Sequence, residues 1–164
     1  MIRNSLILFL AFSTLQGCYS LKGFSISEDL KTFSVENFRN AAQNAPATIQ
    51  QTFGERLKEK ISRESRLTRD EENPDISFSG SVSRFSVTAV SPERGAVTAS
   101  NRLEIAISVT YENNRSTDDQ WTQTFSHFLD FPSDTNILDV QDELITGIFD
   151  QIIEDIFNKA FTNW

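Results

Sequence analysis

The sequence predicts an α+β domain: two helices packed on one face of a four-stranded, mostly antiparallel sheet. Three observations carry this. Apolar residues alternate with polar ones in four main segments and one short one before them, the period of a half-buried strand. In two longer segments they recur every three to four residues, the period of a helix. Along the chain the order is strand, helix, three strands, helix.

Each element has its own signal. Lys22–Ser27 alternates and reads as a short strand. Thr32–Phe38 places Phe33 and Val35 on one side and turns polar toward Asn40, a second strand signal. From about Ala47 to Arg66 the period changes. Ile49, Phe53, Leu57 and Ile61 fall four apart, which lines them along one helical face. Thr48 with Gln51 has the spacing of a capping box, and Asn44 before Pro46 is a second possible start. Thr68–Pro74 reads as a charged loop. Ile76, Phe78, Gly80 and Val82 then alternate with serines before the phase slips to Phe85, Val87 and Ala89. A slip of one residue predicts a bulge near Arg84–Phe85. Ser91–Ala96 is a turn. Leu103, Ile105, Ile107, Val109 and Tyr111 make the clearest strand, and Trp121, Gln123, Phe125, His127 and Leu129 make the last, broken at Phe131-Pro132. A long helix follows from about Asp139, a capping residue, to Phe161. Its stripe of Val, Leu, Ile and Phe requires a large apolar partner, the sheet.

The first seventeen residues read as an address rather than as structure. Arg3 is followed by the apolar run Leu6–Phe12, too short to cross a bilayer, and then by small and polar residues. Leu15-Gln16-Gly17-Cys18 resembles a bacterial lipobox, although Gln16 departs from the commonest form. Gly17 is small enough for a peptidase, and Cys18, the single cysteine, supplies a thiol for lipid. The expected layout is a lipoprotein signal peptide over 1–17 and one domain over 18–164, held to a membrane by acyl chains on Cys18. The alternative is an ordinary signal peptide with a cysteine free for intermolecular pairing. Tyr19 in place of an acidic residue favours the outer membrane, and Ser20-Leu21-Lys22 lacks an acidic export run. The expected location is therefore the bacterial outer membrane, facing the periplasm. The tether is about four residues, reaching roughly 13–14 Å, so the body sits close to the bilayer.

Composition removes several function classes. A chain of 164 residues is one domain, and its 14 phenylalanines provide large pieces of core. One cysteine excludes a disulfide framework and a multi-cysteine metal site, and one histidine excludes a two-histidine zinc motif. The formal charge of −8 and a pI near 4.6 argue against general nucleic-acid binding. His127 has no nucleophile motif beside it and reads as a strand residue. Glu71-Glu72 and Asp118-Asp119 read as solvated loop charge. No phosphate loop, metal-ligand spacing or cofactor motif is present in the sequence, so the reading is a binding or structural module and not an enzyme.

Taken in order, several weak features resemble one family. They are Cys18-Tyr19-Ser20-Leu21-Lys22-Gly23, Phe38-Arg39-Asn40 followed by Ala45-Pro46 and an amphipathic helix, and the hairpin Arg94-Gly95-Ala96-Val97-Thr98-Ala99 before Leu103–Tyr111. Trp121, Phe125-Ser126 and the final helix ending Asn163-Trp164 complete the set. Together they resemble the LPS-assembly lipoprotein family LptE, in its shorter Bacteroidota-like form. The resemblance implies two helices against a four-stranded sheet. It also implies a plug in the lumen of the LptD-type outer-membrane β-barrel, which helps that barrel assemble and helps deliver lipopolysaccharide to the outer leaflet. It implies lipopolysaccharide contact through basic side chains. Arg94 matches one of these positions, while Phe131–Leu138 contains no Lys or Arg to match another. Arg94 with Arg102 across the hairpin is the expected patch. A second candidate is Arg56, Lys58, Lys60 and Arg63 on the first helix, for which a solvated helix face is the plainer reading.

Charge is uneven. Residues 18–75 hold nine basic and ten acidic side chains, residues 76–164 five and thirteen. An acidic half repels phosphates within a Debye length, about 8 Å, so only a local patch can bind them. A lipid-binding lipoprotein with an apolar pocket between the layers, and an adaptor in another envelope assembly, are the alternatives to the plug.

Overall fold

The computed structural model describes residues 26–91, 99–116 and 119–162. The signal segment, Cys18, most of Lys22–Ser27 and the turn carrying Arg94 lie outside them. Three long strands form the body of the sheet: β4 (Ile76–Val90), β5 (Ser100–Asn113) and β6 (Trp121–Pro132). They pair antiparallel in sequence order, as two hairpins do. Three short strands complete it: β1 (Thr32–Val35), β2 (Arg39–Asn40) and β3 (Thr68–Arg69). The sheet runs β3-β1-β4-β5-β6, with β2 also paired to β4.

This corrects the expected sheet in two respects. It has six strands, not four, and it is mixed rather than mostly antiparallel, because β1 lies parallel to β3 and β4, and β2 parallel to β4. The physical reason is the intervening helix α1 (Ile49–Glu64). A strand that returns through a helix crosses over and re-enters the sheet in the same direction. Strands of two residues carry no period at all, so β2 and β3 have no alternation to detect. The expected charged loop at Thr68–Pro74 therefore begins with a strand.

Helix α1 buries Ile49, Phe53, Leu57 and Ile61 at the expected spacing of four. Thr48 stands at its N-cap but makes no side-chain capping bond, so the Thr48–Gln51 box does not form. The second helix, α2 (Ile137–Phe161), starts two residues before Asp139. Asn136 caps it, its side chain accepting from the Leu138 N–H at 3.1 Å. The bulge in β4 falls between Val82 and Arg84, a residue earlier than expected, and the Ser83 hydroxyl donates to the Ala106 carbonyl at 3.1 Å.

Both helices lie on the face of the sheet formed by Phe78, Val82, Leu103, Ile105, Ile107, Val109, Tyr111 and Phe125, all buried. Phe53 is the hinge of the packing. Its ring meets Phe38 edge-on at 4.9 Å and Phe149 at 5.2 Å, joining the β1–β2 segment, α1 and α2. Such geometry adds to the burial of three large rings. Gly80 permits this arrangement. A Cβ there would collide with the Ser108 carbonyl oxygen and stand 2.8 Å from the Phe38 ring, so backbone and ring close over the position.

Candidate functional site

The same strands present a second face with a different chemistry. Residues directly opposite one another form cross-strand rows: Ser79–Thr110–Thr122, Ser81–Ser108–Thr124, Ser86–Glu104–Phe128 and Thr88–Arg102–Asp130. Period two makes this inevitable, since every apolar residue sent to the helices leaves its polar neighbour on the other side. The Thr110 and Thr122 hydroxyls bond to each other at 3.0 Å. Arg84 pairs with Glu104 at 2.8 Å.

Arg102 belongs to this face. Its guanidinium donates from Nε and Nη2 to the two Asp130 carboxylate oxygens, at 2.7 and 3.0 Å. It also lies 3.7 Å from the ring centroid of Phe128, an exposed large hydrophobic side chain. Hydrogen bonding to Arg102 holds the Asp130 carboxyl below its ordinary range, and the same bond raises Arg102. Of the expected basic patch, Arg102 is thus an ion-paired side chain stacked on an aromatic ring. Arg94 lies outside the described residues.

The helix-one cluster is likewise compensated. Arg56 reaches Asp150 on α2 at 2.5 Å, and Lys60 reaches Glu154 at 2.5 Å and Glu64 at 2.7 Å. Lys58 pairs with Glu55 and Arg63 with Glu59. Partial burial pulls the Lys60 pKa down, but the bonds to Glu154 and Glu64 outweigh it and the net shift is upward. Arg56, Lys60 and Arg63, with Glu59, Asp150 and Glu154, line a groove of about 560 Å³ between the helices. Its basic groups are spent on the seam, where such pairs set alignment more than they add stability.

A third cluster was not legible in advance. Asp75, almost fully buried, accepts from the Lys31 and Thr32 N–H groups at 2.8 and 3.0 Å and from Arg115 Nε at 2.6 Å. Its own N–H donates to the Thr32 hydroxyl at 2.9 Å. The Lys31 bond is the chief cause that, against desolvation, pushes its pKa down to about 2, with Arg115 and Thr32 adding to it. This knot ties the start of β1 to the start of β4 and to the β5–β6 connection. Nearby, burial raises the Tyr111 phenol, and Asp119 adds to the shift. His127 stands in β6, half-buried, on the helix-facing side opposite Ile105.

No group of three or more His, Cys, Asp and Glu side chains is placed to hold a metal among the described residues. No helix among them is long and apolar enough to cross a membrane. The space between helices and sheet is occupied by Phe33, Phe53, Phe78, Phe149 and Phe157, all with 0% exposure.

The molecule is thus a two-layer α+β sandwich whose chemistry sits on its outside. Solved structures share this fold. A minor lipoprotein from Acinetobacter baumannii superposes with a TM-score of 0.52 at 12% identity, covering 80% of this chain and 94% of that one. PelC from Paraburkholderia phytofirmans, a dodecamer, gives 0.51 at 8% identity, covering 87% and 95%. No curated protein sequence matches the chain. The family model described as LptE, lipopolysaccharide-assembly, matches residues 30–160, and the chain belongs to that family. It is accordingly a lipopolysaccharide-assembly lipoprotein of the cell envelope, from a family that assembles rather than catalyses.

Proposed function

We propose that this protein is an outer-membrane lipoprotein that occupies the lumen of an LptD-type β-barrel, helps it assemble, and assists lipopolysaccharide delivery to the outer leaflet. The observation that carries the reading is the match of residues 30–160 to the lipopolysaccharide-assembly family. Two structural features support it. The interior is filled by phenylalanine rings, which leaves no room between the layers for a lipid and disfavours the pocket alternative. Apart from Phe128, over which Arg102 stacks, the helix-free face is built mostly of short hydroxyl side chains and paired charges, suited to a polar luminal wall. A domain of this size requires a wide barrel, on the order of twenty strands or more.

In this reading Cys18 carries the acyl chains, and Arg94 and Arg102 are the residues that meet lipopolysaccharide. Arg102 is itself held by Asp130. The test is isolation of the full chain from membranes in mild detergent. A large β-barrel should co-purify in near-equal amount, and Cys18→Ala should release the protein from the membrane. Recovery without any barrel overturns the plug.

A further inference from the structure

Among the described residues, the Gln50 side-chain oxygen is the single enclosed side-chain nitrogen or oxygen that no partner reaches. A carbonyl oxygen withdrawn from water without a hydrogen bond is costly, and native folds seldom leave one so. Gln50 stands in the first turn of α1. It lines a pocket of about 250 Å³ between that helix and the segment joining β1 to β2. Glu36 and Phe38 belong to the strand side of this pocket, and Gly54, Glu55 and Lys58 to the helix side.

Gly54 keeps the pocket open. A glycine inside a helix is less stable than an alanine there, and the packing does not ask for one at this position. A Cβ on Gly54 would meet only the Phe38 ring, at 4.0 Å, an ordinary contact. Gly80 is the opposite case, since a Cβ there collides with the backbone of the next strand. An alanine at position 54 would fit the fold and narrow the space that Gly54 and Phe38 share.

The charges on the walls choose the ligand. Lys58 donates to Glu55 at 3.1 Å, which cancels one carboxylate. Glu36 has no ion pair among the described residues, so one negative charge stands open in the same pocket as one unanswered acceptor. A group that satisfies both is a cation with more than one N–H. A guanidinium has its donors in a fixed planar fork, keeps its charge at any ordinary pH and is more weakly hydrated than an ammonium. A free amino acid would bring a carboxylate with it, and the pocket holds no unpaired cation to receive one.

We propose that this pocket receives the guanidinium of an arginine side chain presented by a partner protein, with the Gln50 oxygen and the Glu36 carboxylate as its acceptors. The proposal goes beyond the barrel reading and does not depend on it.

The experiment titrates N-acetyl-arginine amide, which carries the side chain without backbone charges, into the isotope-labelled full chain in detergent micelles. The NMR signals of the Gln50 side-chain amide and the Gly54 N–H should move along a saturable curve. N-acetyl-citrulline amide, in which an uncharged urea replaces the guanidinium, should leave both in place. Glu36→Gln removes the open charge and should weaken binding about tenfold or more, as expected for a hydrogen bond to a charged group. Gly54→Ala should weaken it too while melting at or above the temperature of the parent, which separates a filled pocket from a damaged fold. Absence of a saturable shift overturns the proposal. So does equal binding of the citrulline compound, or full affinity in Gly54→Ala. Tighter binding of free arginine than of the blocked form would make this a small-molecule site and overturn the partner. Loss of the barrel in the co-purification above leaves these shifts standing, so the two readings fail separately.

Discussion

The two faces of the central sheet are made by the same three strands and behave as different materials. On the helix side, Leu103, Ile105, Ile107 and Val109 are 0% exposed and close-packed against phenylalanine rings. On the other side the intervening residues of the same strand are Arg102, Glu104, Ala106, Ser108 and Thr110, short or paired across to neighbours. The difference teaches that stability and contact have been separated by strand period. The helix side holds the fold together. The hydroxyl side is free to be shaped by what it meets, because a Ser or Thr there contributes little to stability and offers both a donor and an acceptor.

The comparison breaks first at Phe53. Its ring is fully buried and touches both Phe38 and Phe149, so Phe53→Ala removes one ring and two aromatic contacts and leaves a void between those two rings. The expected loss is about 3–5 kcal/mol, measured as a shift of the denaturant midpoint at constant slope. A loss below about 1 kcal/mol would mean that the layers are not held together at this ring.

The second test lies at the end of the sheet, where a charge is buried. Asp75 has an ordinary value of 3.8 and a folded one of about 2. Its contribution is therefore complete above the ordinary value and disappears as pH falls from there through about 2. The difference corresponds to roughly 2 kcal/mol. Asp75→Asn should flatten the acid limb of stability against pH over that window. It should also lower stability at neutral pH, since the amide cannot accept from Lys31, Thr32 and Arg115 as the carboxylate does. An acid limb identical in both proteins would remove Asp75 as its cause.

What the sequence made visible follows the same division. Wherever a face is buried over many residues, its period is written in the chain. α1, the body of β4, β5, β6 and α2 were legible for that reason, down to Ile49, Phe53, Leu57 and Ile61. What escaped were pairings made at a distance. β2 and β3 take their identity from the strands beside them and not from their own two residues. Asp75 follows Pro74 in what reads as a charged loop, and nothing local says that it will be enclosed by Lys31 and Arg115. Arg102 was visible as a cation, but its partner Asp130 is 28 residues away and becomes its neighbour only once the β5–β6 register is fixed. Charges along the sequence were thus a poor guide to free charge on the surface.

Arg102 supplies the finest test of the division, and the smallest effect. The guanidinium is bidentate to Asp130 and stacked on Phe128, but the pair is solvent-accessible, and water recovers most of what such a contact yields. Arg102→Ala should therefore leave the denaturant midpoint far closer to the parent than Phe53→Ala or Asp75→Asn does. Its coupling with Asp130→Ala in a double-mutant cycle should be small and should decline with added salt. The consequence belongs to the surface instead. Losing Arg102 uncovers one side of Phe128 and leaves Asp130 as a bare carboxylate, so the row Thr88–Arg102–Asp130 changes from neutral to acidic. A large loss of stability from this substitution would show that the hydroxyl face also carries the fold, and the two faces would no longer be different in kind.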